Sequence, residues 1–124
     1  MVRVVLLSAA LVLLAAPAYA YSSRCVQPYA PTVPDGRAAT KAQIDDAKNL
    51  VIAFIKQSDQ YQDCLLLDLK TERATAARKG KGFDPQIATD INNLVAANQR
   101  EKERVGAEFN GQSHIYTEMH PKTQ

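Results

Sequence analysis

The chain has 124 residues, with 15 Lys and Arg against 13 Asp and Glu, two cysteines, no tryptophan and five glycines. That length fits one domain, and a net charge of +2 is too balanced for obligate nucleic-acid binding. Two cysteines exclude a cysteine-rich zinc module or a dense disulfide scaffold, and so few glycines leave little room for a phosphate-cradling loop.

Met1-Val2-Arg3 places one basic residue before an apolar run from Val4 to Ala16. Pro17 ends the run, and Ala18 and Ala20 are small residues at −3 and −1 of a cut after Ala20. This is the layout of a secretory signal peptide, residues 1–20. The run is shorter than the roughly 20 residues a spanning helix needs, and no second apolar run follows. No stable membrane anchor is therefore expected after cleavage. A lipid anchor is not expected either, because Arg24 stands where a lipobox wants a small residue before Cys25. The expected location is the periplasm or outside the cell. Loss of Arg3 lowers the net charge by one, which leaves a near-neutral domain with a thin core.

Residues 21–39 show no periodicity. Pro28, Pro31 and Pro34 recur every third residue, which predicts an extended, polyproline-like arm. Pro34-Asp35-Gly36 reads as a turn. A helical hairpin domain is expected over 40–120, followed by a tail, 121–124.

The first helix is expected over 40–79. Thr40 and Gln43 form a capping box, and Asp45 and Asp46 suit the positive end of the helix dipole. Ile44, Ala47, Val51, Phe54, Ile55, Tyr61, Leu65 and Leu69 fall on one face. Ser58-Asp59-Gln60 is the softest point, where a break would fall. Arg78-Lys79-Gly80-Lys81-Gly82 ends the helix with cations and glycines.

Asp84 as N-cap and Pro85 at the first helical position open the second helix, 84–119. Its stripe is Ile87, Ile91, Leu94, Asn98, Val105 and Phe109, extended by Gln112, Tyr116 and Met119 across Asn110-Gly111. A short loop makes the two helices antiparallel. The fold class is all-α: a long two-helix hairpin of coiled-coil type with the arm stapled to its first helix. Folding about residues 81 and 82 sets Phe109 near Phe54, Val105 near Ser58, Asn98 near Leu65 and Glu101 near Tyr61. Glu101 then either accepts from the Tyr61 hydroxyl or turns outward to water.

Cys25 and Cys64 are an even pair in an exported chain, so a disulfide is expected. A redox role would normally place the pair as C-x-x-C at a helix start. Cys64 lies about 36 Å along the helix from Thr40, and the arm reaches roughly 46 Å at polyproline rise. The arm must then fold back along the first helix. Leu50, Gln57 and Cys64 mark its expected docking flank, with Val26, Tyr29 or Val33 covering Leu50 and Leu67.

His114 and Glu118 share a helical face with His120 close by, too few ligands for a stable metal site. No metal or other cofactor is expected. Arg73, Arg78, Lys79 and Lys81 cluster at the hairpin tip, opposed by Glu72 and Asp84, and could meet anionic lipid or polysaccharide. A solvated helix end whose cations complement the dipole accounts for them as well. No G-x-S-x-G, H-E-x-x-H or P-loop occurs.

The string Cys25-x-x-Pro28-x-x-Pro31-x-x-Pro34-Asp35-Gly36, with Phe54-Ile55, Tyr61-x-x-Cys64-Leu65 and Phe109-Asn110, resembles a group of small exported bacterial two-cysteine helical-hairpin proteins. The resemblance implies secretion, the disulfide and the hairpin, and no activity. The expected role is a non-enzymatic interaction or structural protein that meets an unknown protein partner or itself. The alternative is an envelope-surface binder of anionic lipid or polysaccharide through the basic tip.

Overall fold

The structure, a computed structural model, describes residues 21–121. The signal-peptide reading of residues 1–20 lies outside the described residues, as do the last three residues of the tail. Among the described residues, two helices make up the fold, α1 (Lys41–Arg78) and α2 (Pro85–Met119), packed antiparallel as a hairpin. No described helix is long and apolar enough to cross a membrane.

Both helix starts follow from local chemistry. Thr40 Oγ1 accepts from the Gln43 amide at 3.2 Å, and Gln43 Oε1 accepts from the Thr40 amide at 2.8 Å. At α2, Asp84 Oδ1 accepts from the Gln86 amide at 2.9 Å, and Pro85 takes the first turn, where no amide donor is needed. The end of α1 is a full Schellman turn. Gly80 adopts φ +62°, its amide donates to the Ala77 carbonyl, and the Lys81 amide donates to that of Ala76.

α1 runs unbroken through Ser58, and α2 continues past Gly111 to Met119. Ser58 is completely buried and faces Asn98 across the seam. The triplet 58–60 is therefore a polar layer inside a continuous helix, where a small side chain lets the two backbones approach. Two apolar clusters flank that layer. Val51, Phe54 and Val105 form one, with Val33, Ile55 and Phe109 packed against it. Tyr61, Leu65 and Ile91 form the other, enclosed by Tyr21, Cys25, Leu69, Ile87, Leu94 and Val95.

Phe109 packs against the cluster that contains Phe54, as expected, while the pairs Asp59–Lys102 and Gln62–Gln99 lie about two residues off the expected register. Asn98 meets Ser58 and Gln62 rather than Leu65, and Val105 joins Val51 and Phe54 rather than Ser58. In this offset the amides and hydroxyl of the polar layer bond to one another. Glu101 does not meet Tyr61; it takes Arg104 on its own helix at 2.7 and 2.8 Å. Met119, placed on the stripe by its spacing, is 59% exposed.

Candidate functional site

Cys25 and Cys64 are joined, with a sulfur–sulfur distance of 2.02 Å and Cα atoms 5.8 Å apart. The arm, residues 21–39, therefore folds back along α1 as its reach requires. It is fastened on the expected flank, at Cys64, but the expected cover of Leu50 and Leu67 is not formed. Val26 and Tyr29 are 87% and 96% exposed, and Leu50 and Leu67 remain largely uncovered. The arm lies instead over the open side of the seam. Tyr21 and Cys25 close one apolar cluster, and Val33 closes the other. The groove between the helices offers apolar surface from two elements, so burial there exceeds what a flank of α1 alone provides.

Both ends of the arm are pinned. At the first, the Tyr21 hydroxyl donates to Asp68 Oδ2 at 2.7 Å, and Arg24 approaches Asp68 Oδ1 at 4.0 Å. Cys25 Sγ, which carries no proton in the disulfide, lies 3.9 Å from the same carboxylate. Burial, and then the hydrogen bond to Asp68, push the Tyr21 phenol up to about 12. At the second end, the Gly36 amide donates to Gln112 Oε1 at 2.8 Å. A Cβ at Gly36 would meet the Gln112 carbonyl oxygen at 2.1 Å, so only glycine allows this approach. The Asp35 carbonyl accepts from Ala38 and Ala39 to form the expected turn.

The polar layer is fully satisfied. Asn98 Nδ2 donates to Ser58 Oγ at 3.4 Å, and Gln62 Nε2 donates to Asn98 Oδ1 at 2.9 Å and to Gln99 Oε1 at 3.2 Å. Lys102 donates to Asp59 at 2.6 Å beside it. Among the described residues, no buried side-chain nitrogen or oxygen lacks a partner. Sequence reasoning singled out neither Asp68 nor Gln112 as an anchor. For Asp68 a signal existed: it lies one helical turn beyond Cys64, on the flank the bridge already selects.

At the hairpin tip the Arg73 guanidinium stacks on the Phe83 ring at 5.2 Å. Beside it is an open cleft of about 210 Å³ lined by Glu72, Thr75, Lys79, Lys81, Phe83 and Ile87. Among the described residues, none of Arg73, Arg78, Lys79 and Lys81 forms an ion pair. A second hollow of about 450 Å³ opens under the arm, between Gln27–Ala30 and the Ala97 and Glu101 side chains of α2. The hydrogen bond from Arg104 holds the Glu101 carboxyl below its ordinary value.

His114 pairs with Glu118 at 3.3 Å on the exposed surface. His120 turns to stack on Tyr116, with ring centroids 4.3 Å apart. Among the described residues, no three His, Cys, Asp or Glu side chains are grouped to hold a metal ion. Comparisons with protein-family models, curated proteins and solved structures returned no match.

Proposed function

We propose that this chain is an exported, non-enzymatic interaction or structural protein of the periplasm or cell exterior, working by contact with another protein or with its own copies. The observation that carries this reading is the surface of α1. With α2 and the arm both in place, Leu50, Ile52, Leu66 and Leu67 are still about half exposed or more. Of these, Ile52, Leu66 and Leu67 lie on the side of α1 turned from both α2 and the arm, and an apolar side left uncovered by both partners supports a contact made elsewhere. Export is supported by the signal-like segment 1–20 and by a disulfide that needs an oxidising compartment. Crosslinking in intact cells followed by recovery from the envelope tests the reading. Specific adducts on a chain whose mass begins at Tyr21 are expected. Recovery from the cytosol with Met1 retained and two reactive thiols rejects export, and no adducts above a scrambled-sequence control rejects the interaction role.

The alternative, an anion-binding tip, is favoured by one observation: Lys79 and Lys81 line the Phe83 cleft and Arg73 stacks on that ring, all three without an ion pair among the described residues. It requires salt-sensitive binding to anionic vesicles that Lys79→Glu with Lys81→Glu abolishes.

A further inference from the structure

The hairpin has two open sides along its seam, and the arm covers one. Helix geometry places Ile52, Asp59 and Leu66 on the flank of α1 turned away from Cys64 and Asp68, where the arm is fastened. On α2, Gln99, Lys102 and Gly106 occupy the flank turned away from Ala97 and Gln112. These flanks together form a second face, crossed at its middle by the Asp59–Lys102 ion pair and the Gln62–Gln99 hydrogen bond. Ile52 and Leu66, each about half exposed, stand seven residues to either side of Asp59. Gly106 lies on the α2 flank, and a Cβ built there meets nothing within 4 Å.

We infer that this face binds a second copy of the chain, forming a two-fold four-helix bundle with its axis along the hairpin. This rests on the interaction reading above and names its partner. The charge pattern selects the occupant and the geometry. A two-fold axis along the hairpin lays α1 of one copy over α2 of the other, antiparallel and at the same level. The partner copy's Asp59 then comes over Lys102, the partner copy's Leu66 over Val95, and the partner copy's Ile52 at the level of Phe109, one turn from Gly106. Acid meets base, and the bare glycine leaves room for close approach one turn from the bulky side chain. A two-fold axis across the hairpin at the level of this ion pair would instead set Asp59 over Asp59 and Lys102 over Lys102, which like charges oppose. The area suffices: two helices about 53 to 57 Å long and together about 20 Å wide offer more than the roughly 800 Å² per partner that a stable interface buries.

Sedimentation equilibrium of the oxidised chain tests this, with Leu66→Glu and Gly106→Leu as variants. The parent should sediment at twice the monomer mass at micromolar concentration. Each variant should weaken association by about tenfold or more while keeping the helical circular dichroism of the parent. Gly106→Leu is the sharper of the two, because replacing a helical glycine favours the lone hairpin and only a close neighbour can penalise it. A parent that stays monomeric at high micromolar concentration overturns the dimer, and the envelope crosslinking then decides the interaction reading separately. A dimer unweakened by either variant overturns the assigned face.

Discussion

Gly36 and Tyr21 fix the two ends of the arm by different physics. Gly36 is needed for proximity, since its Cα lies against the backbone of α2 at Gln112 and Tyr116. Gly36→Ala cannot be relieved by a rotamer change, because the obstacle is a main-chain carbonyl. It should lower stability by roughly 1–3 kcal/mol, measured by urea unfolding, and free the amides of residues 33–39 to exchange. Tyr21 is an electrostatic latch. Its phenol binds the proton more tightly in the folded chain, with a value of about 12. The unfolded reference is 10.0. The contribution is therefore complete below the unfolded value and is lost as pH rises through the folded one. In an alkaline titration followed by tyrosinate absorbance, Tyr21→Phe should delete the step near 12 and leave the disulfide intact. Loss of a step near 10.0 instead would mean that Tyr21 does not hold Asp68.

At the scale of the helices, both N-caps, the glycine stop and most of the core stripe were legible in the sequence, because each is local. Thr40–Gln43, Asp84–Pro85 and Arg78–Gly82 need no knowledge of the partner helix. The register and the arm's course were not local. Asn98 reads as one polar residue on an apolar stripe until Ser58 and Gln62 are known to face it, and the groove that receives Val33 exists only once both helices have met. A buried, fully bonded polar layer between two apolar clusters is a device that fixes one alignment. The packing of the first cluster can be tested through Phe54, which is 2% exposed, and Phe109, half-buried against the same cluster. Phe54→Ala should cost roughly 3–5 kcal/mol, with a smaller loss for Phe109→Ala. The double mutant should lose less than the two single losses combined. Additive losses would place the rings in different clusters.

Across the whole molecule, the bridge between Cys25 and Cys64 closes a loop with a sequence separation of 39. Breaking it should cost roughly 2–4 kcal/mol on the chain-entropy account. The arm is also held at Val33 and Gly36, so its release should be graded. Hydrogen exchange with and without reductant should show residues 21–30 freed first, residues 33–39 still protected, and both helices intact. Global unfolding on reduction would show that the seam has no sufficient core without its cover. The bridge also has a mechanical consequence. Two rods packed side by side resist separation far better than sliding. The arm is covalently fixed to the middle of α1 and seated on the far end of α2, so it crosses the pair as a diagonal brace. Axial slip of one helix past the other would have to stretch an already extended segment. The hairpin therefore presents its outer faces at a fixed length and offset, as a ruler does.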